Sequence, residues 1–297
     1  MKIKTFIISA ITLFISLYLI IGYHSLKHID KNRIDVSKYI TLVDEVSENK
    51  VQVNWKYVVS IIAVENKNKI KNISDDKIKN TANLFIEKSD NGYKLNSLDN
   101  VLNKLNFTDK EKERVNDYID QLKYFGLTPY RLKEDSKYIK FIEEIKDEAI
   151  KNYKEYKILP SITIAQAILE SSWGESDLAQ IYNNLFGIKA DSSWKGEYVT
   201  LETFEFYDTK IEDKFRVYSN KNQSIKDHAK FLVDNQRYKK YGVFEAKTYI
   251  EQAYALQNAG YSTAEDNSGQ KRYAKDLIEL IRQYNLQLID SEIKISD

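Results

Sequence analysis

The chain has 297 residues, 42% of them hydrophobic and 12% aromatic, with Tyr (22) ahead of Phe (12) and Trp (3). That composition builds a core and excludes disorder of the whole; the length suits a short anchor plus domains of about 150 and about 100 residues. Lys+Arg 45 against Asp+Glu 44 gives a net charge of +1, which removes the electrostatic case for nucleic acid, and zero cysteines with three histidines leave the chemistry to carboxylates, hydroxyls and amides, without metal or cofactor.

Gly (9) and Pro (2) are scarce, which favours helices joined by short polar loops. Residues 5–23 carry no charge, with Lys2 and Lys4 before them and Lys27, Lys31 and Arg33 after. About 20 apolar residues in a helix span a bilayer. The following Gly22-Tyr23-His24-Ser25 offers no small-residue pair for signal cleavage. The expectation is an uncleaved, single-pass signal anchor at 5–23, residues 1–4 in the cytoplasm and the rest on the extracellular side of the cell membrane.

Residues 34–127 read as a helical spacer or docking domain. Val36–Val46 has helical spacing, and Trp55–Val64 is apolar on several sides and therefore buried. Ser74 opens a capped helix, SDDKIKNTANLFIE, with acids in its first turn. Thr108 and Glu111 form a capping-box pattern before a helix that ends at Gly126. Glu65, at the end of the buried helix, reads as a structural glutamate, since no acid- and aromatic-rich hairpin follows it. Pro129 marks the boundary.

Residues 135–287 read as the second domain, with 288–297 as a tail. A helix over 135–153 carries Tyr138, Ile142, Ile145, Ala149 and Tyr153 on one stripe. Ser161 is placed to cap the next helix, ITIAQAILESS, which runs into Trp173-Gly174. After a polar loop comes the one convincing β signal, residues 198–218, two strands around a turn at 208–213. Helices over 224–235, 246–258 and 273–284 complete a mainly α (α+β) fold, a lysozyme-like helical domain with a small β-hairpin lobe.

Glu170 stands in the last turn of an apolar helix. Burial and the negative end of the helix dipole both disfavour its charged form. A carboxyl that keeps its proton near neutral pH is what a glycosidase uses to protonate a leaving oxygen. Glycoside hydrolysis needs a second acidic group across the sugar. The hairpin holds Glu197, Glu202 and Glu205, and strand alternation puts Glu202 and Glu205 on opposite faces, so only one of those two enters a cleft.

Taken in order, LPSITIAQAILESSWGESDLA, NNLFGIKA, WKGEYVTLETFE, FRVYSNKNQSIKDHAKFL, RY and AGYST resemble the glucosaminidase domain of glycoside hydrolase family seventy-three, over about residues 140–287. The resemblance implies an endo-β-N-acetylglucosaminidase that cuts peptidoglycan strands after N-acetylglucosamine. It implies Glu170 as proton donor, Glu205 (in Thr203-Phe204-Glu205) as second acid and Tyr261 as the tyrosine that positions the N-acetyl group. Trp173, Phe186, Trp194, Thr203, Asn184 and Gln166 are expected to contact substrate, and His228 to be a hydrogen-bonded core residue. This sequence departs from the family in having Ser172 for a glycine and a longer polar loop after Tyr261. Anchor, spacer and domain together are similar to membrane-bound Gram-positive glucosaminidases, which implies work near the membrane beside an integral-membrane protein partner. The residues themselves leave open a muramidase, a lytic transglycosylase or a non-catalytic glycan-binding scaffold.

Overall fold

The computed structural model describes residues 26–90, 92–128, 132–205 and 209–293, with the side chains of 203–205 and 209–211 left out. The expected anchor at 5–23 lies outside the described residues. Among those described, no helix is long and apolar enough to cross a membrane. By internal contacts the chain divides into two units, one of residues up to Val46 with Asn54–Glu87 and Asn96–Phe125, the other of Ser47–Val53, Lys88–Leu95 and Gly126 onward.

The first unit is built from α1 (Val36–Ser47), α2 (Trp55–Glu65), α3 (Asp75–Asn83), α4 (Leu98–Lys104) and α5 (Asp109–Gln121). Nearly every residue of α2 is buried, and it packs chiefly against α3 and α5. Caps set the helix starts. The side chains of Asn54, Ser74 and Ser97 accept from the amides of Lys56, Lys77 and Asn100. The Thr108 amide donates to the Glu111 carboxylate at 2.8 Å, closing the capping box. Glu65 pairs with Lys77 at 2.7 Å.

The chain departs from the sequence reading between 84 and 95. The helix capped by Ser74 stops at Asn83, and Ile86–Ser89 (β1) pairs with Gly92–Leu95 (β2) in a two-stranded sheet. Neither strand alternates, because both are largely exposed. The Asn91-Gly92 dipeptide was the available turn signal.

In the second unit, α6 (Lys137–Tyr156) buries Phe141, Ile142, Ile145 and Ala149 against α7 (Pro160–Ser171) and against α9 (Lys221–Asp234). Between them lie α8 (Asp177–Tyr182) and the antiparallel pair β3 (Tyr198–Glu205) and β4 (Thr209–Arg216). The pairing runs to Glu205 opposite Thr209, so the strands close earlier than the expected turn at 208–213. The short α10 (Gln236–Lys240) precedes α11 (Tyr249–Asn258), α12 (Tyr273–Tyr284) and α13 (Gln287–Ile293). The fold is thus mainly helical with small two-stranded sheets.

The centre of this unit is α7, buried from Pro160 to Ile168 and again at Ser171, with α6, α11, α12 and α13 packed around it. Proline at its first position supplies a preset φ and needs no amide partner there. Ser161 was expected to cap this helix but sits inside it, and the cap comes from α13. The Asp290 carboxylate accepts from the Ser161 amide at 3.0 Å and from its hydroxyl at 2.6 Å. An anion here also faces the positive end of the helix dipole. The described part of the 288–297 segment is therefore a packed helix. A second buried side chain, Gln252 of α11, holds the preceding turn by accepting from the Leu159 amide and donating to the carbonyls of Lys157 and Val243.

Asp290→Ala leaves the first turn of α7 without its anion and should destabilise the second unit by about 2–3 kcal/mol. Urea unfolding followed by circular dichroism would show a lower midpoint at unchanged slope for that transition. A midpoint equal to wild type would refute the capping role.

Candidate active site

Glu170 lies one residue before the end of α7, where a tight turn begins. Ser172, Trp173 and Gly174 take φ of 50°, 65° and 75° in succession. Left-handed conformation is unfavourable for residues with a Cβ. Ser171 holds the turn, its hydroxyl donating to the Ala167 carbonyl and accepting from the Gly174 amide at 2.7 Å. At Gly174 a Cβ would come within 2.7 Å of the Phe141 ring, so both backbone and space demand glycine. The turn swings Trp173 away from the cavity described below and into edge-on contact with Tyr138 and Tyr284, each at a centroid separation of 4.6 Å, with Phe141 beyond at 6.1 Å. Trp173 thus clamps the end of the Glu170 helix to α6 and α12.

Glu170 opens on a cavity of about 540 Å³ lined, among the described residues, by Phe186, Gly187, Ile188, Lys189, Asp191, Arg216, Phe231, Arg237, Tyr238, Tyr261 and Ser262. A volume of that size is typical of small-ligand sites. The carboxylate meets solvent on the cavity side and crowded protein on the others. That crowding raises its pKa above the ordinary glutamate value, while a hydrogen bond from Tyr273 acts in the opposite sense. The Tyr273 hydroxyl donates to Glu170 Oε1 at 3.3 Å and accepts from Gln166 Nε2 at 2.9 Å. Gln166, fully buried on α7, therefore positions Tyr273 and does not line the cavity.

Tyr261 stacks on Tyr273, with centroids 5.2 Å apart and planes at 23°. Its hydroxyl lies 3.1 Å from His228 Nε2. His228 is 1% exposed and stacks flat on Phe186 at 3.9 Å. Burial pushes the imidazole pKa down to about 3, so it is neutral near pH 7. Nδ1 has no hydrogen-bond partner. Since a buried N–H without a partner is rarer than an unused acceptor, we assign the proton to Nε2. His228 then donates to the Tyr261 hydroxyl, which Tyr273 also contacts by a side-chain hydrogen bond. Burial also holds the Tyr261 pKa well above its ordinary value, which keeps the phenolic proton in place.

Asn184 is held at both ends of its amide: Nδ2 donates to the carbonyls of Ile188 and Arg216, and Oδ1 accepts from the Ile188 amide at 3.0 Å. Buried at 1% exposure, it shapes the loop that presents Phe186 and Gly187. Trp194 stands behind the lining, its ring 4.4 Å beneath the Arg216 guanidinium and its indole N–H on the Glu197 carbonyl. Of the expected site residues, the structure thus brings Glu170, Phe186 and Tyr261 to one cavity and gives Gln166, Asn184, Trp173 and Trp194 supporting places. The side chains of Thr203 and Glu205 lie outside the described residues; Glu202 is exposed, opposite Glu212 on β4. Tyr273 was not anticipated as a site residue, and its signal in the sequence was slight: a tyrosine opening a helix at the end of a polar loop.

Because the Tyr273 bond favours the charged form of Glu170 while crowding disfavours it, Tyr273→Phe should raise the Glu170 pKa further. Carbon-13 NMR titration of the carboxyl in the two proteins measures this; a downward move would show that Tyr273 is not a donor to it.

Residues 146–286 match the family described as mannosyl-glycoprotein endo-beta-N-acetylglucosaminidase. The chain is 44% identical to the exo-glucosaminidase LytG of Bacillus subtilis over 156 residues, 50% of this chain and 52% of that one. It is 43% identical to the peptidoglycan hydrolase FlgJ of Vibrio parahaemolyticus over 104 residues, 33% and 34% of the two chains. The chain therefore spans about half or less of the length of these relatives. The catalytic domain of the autolysin Auto from Listeria monocytogenes is 34% identical and superposes with a TM-score of 0.45, covering 62% of this chain and 98% of that one.

Proposed function

Because residues 146–286 make the chain a member of the glucosaminidase family, we propose that it hydrolyses peptidoglycan as an endo-β-N-acetylglucosaminidase with Glu170 as general acid. The observation that carries this reading is the carboxyl at the end of α7, facing a sugar-sized cavity in surroundings that favour its protonated form. In that state it donates to the glycosidic oxygen as the bond breaks. The Tyr273 bond limits how far the pKa rises and strengthens as the carboxylate forms, so the group that holds Glu170 in place also stabilises the charge it acquires.

Tyr261, oriented by His228, offers its hydroxyl proton from the cavity wall to the N-acetyl group of the reacting sugar. Phe186 supplies a flat apolar surface beside it. The second carboxylate is Glu205 on the family resemblance, acting as base for water or as support for an intermediate formed by the N-acetyl oxygen. Glu202 is the competing hairpin acid. The lysozyme-like architecture of the helical domain belongs to the same reading, as does placement at the outer face of the membrane through the apolar segment 5–23, next to an integral-membrane partner.

A second reading is exo-cleavage, favoured by the name of the Bacillus relative. Product length separates the two, since an endo-enzyme releases oligomers early and an exo-enzyme single units throughout.

Glu170→Gln should lower the release of fragments from purified walls by at least about a thousandfold, by the magnitudes typical of general acids combined with loss of leaving-group protonation. Mass spectrometry of wild-type products should show reducing-end N-acetylglucosamine. Reducing-end or anhydro N-acetylmuramic acid would move the assignment to a muramidase or a lytic transglycosylase. Retention of wild-type rate in the variant would sink the role of Glu170.

For the anchor, the full chain should sediment with membranes and its second domain should be digested by protease added to the outside of intact cells. The chain lacking residues 1–25 should be soluble. If it still sediments with membranes in high salt, the anchor lies elsewhere.

A further inference from the structure

Three cations line the cavity that holds Glu170, and they are not equivalent. Lys189 pairs with Asp213, and Arg216 pairs with Asp227 at 2.7 Å. Arg237, also in the lining, forms no ion pair with a carboxylate among the described residues. Its guanidinium is nevertheless fixed. Nη2 donates to the buried Tyr238 hydroxyl at 2.7 Å, Nη1 to the Gly260 carbonyl at 3.3 Å, and the charge lies 4.7 Å from the Tyr238 ring centroid.

An arginine has five N–H donors in a planar fork. Two are accounted for here, which leaves others for a ligand on an exposed side chain that needs little further ordering to use them. The Gly260 carbonyl it holds directly precedes Tyr261, so the guanidinium stands close along the chain to the tyrosine of the site. Its charge also acts on Tyr261.

We propose that Arg237 is a carboxylate-recognition residue of this cavity, which makes the site select acidic glycan over neutral glycan of the same length. The proposal rests on the reading of the cavity as a glycan-hydrolase site. Peptidoglycan carries carboxylates in two places: on the lactyl ether of N-acetylmuramic acid when no peptide is attached, and on the stem peptide when one is. Either presents the planar, two-oxygen acceptor that a guanidinium fork fits.

The test uses the full chain bearing Glu170→Gln, so that binding is read without cleavage, with and without Arg237→Gln. Calorimetry compares three oligosaccharides of equal length: neutral N-acetylglucosamine oligomer, peptide-free strand with free lactyl carboxylates, and strand carrying stem peptides. At least one acidic ligand should bind about tenfold more tightly than the neutral one, and Arg237→Gln should remove that advantage. Which acidic ligand keeps the preference identifies the carboxylate. Arg237→Lys, which retains the charge without the fork, should retain part of it, and rising salt should erode it.

Equal affinity for acidic and neutral ligands with Arg237 present would overturn the proposal. So would a parallel loss on all three ligands in Arg237→Gln, which marks a purely structural role through Gly260 and Tyr238. If Arg237→Gln does not fold, the Arg237→Lys variant and the salt dependence decide between the same outcomes. Failure of the wild-type chain to digest walls would count against the proposed hydrolase and leaves the binding comparison to be judged separately.

Discussion

The second unit depends on how α7 is held at its two ends. One end is the Asp290 carboxylate on the first-turn amide and hydroxyl of Ser161. The other is the left-handed turn at 172–174, pinned by Ser171 and by Trp173 wedged among Tyr138, Phe141 and Tyr284. A helix buried on nearly every side has little freedom to slide, and fixing both termini sets its register along the axis. Glu170 is one residue from the second fixed end. The geometry of the acid is therefore a property of the whole packed layer, and the close approach of Gly174 to Phe141 is part of it.

The cavity keeps its charges apart by the same economy of position. Glu170 takes its shift from crowding and one phenol, with no cation among the causes. The two basic residues nearest the hairpin are tied to Asp213 and Asp227. Two stacked pairs of rings, Tyr261 on Tyr273 and His228 on Phe186, meet edge-on where His228 and Tyr261 hydrogen-bond. Neutral His228 orients Tyr261 without adding a positive charge of its own, which would pull the Glu170 pKa back down.

Much of this was legible in the chain itself, for definite reasons. The α7 helix and its terminal acid showed because the apolar run is long and ends in Trp173-Gly174. The caps at Ser74 and Thr108 showed because capping is local. The partners supplied from far along the chain did not show. Ser161 looked like a cap, and only the fold brings Asp290 to it across 129 residues. For Asn184, Gln166 and Trp194 the family resemblance implied contacts with substrate. The fold gives each of them protein neighbours that spacing in sequence does not encode. The hairpin at 86–95 escaped because its strands are exposed and lack alternation.

The polar stretch after Tyr261 illustrates how a departure in sequence can leave a site intact. Asp266 accepts from the amides of Ser268 and Gln270 and from the Ser268 hydroxyl. The Asp266 amide bonds the Gln270 carbonyl, and the Arg272 amide returns to Ala264. The loop therefore closes on itself between Ala264 and Arg272, and its length is absorbed before Tyr273 begins α12. Arg272 then pairs with Asp276 one turn into the helix at 2.8 Å, fixing the entry. With both ends of the insertion brought together, Tyr273 can stack on Tyr261 and reach Glu170 whatever the loop between them does. Extra residues here change the rim of the cavity, not the distance between its tyrosines and its acid.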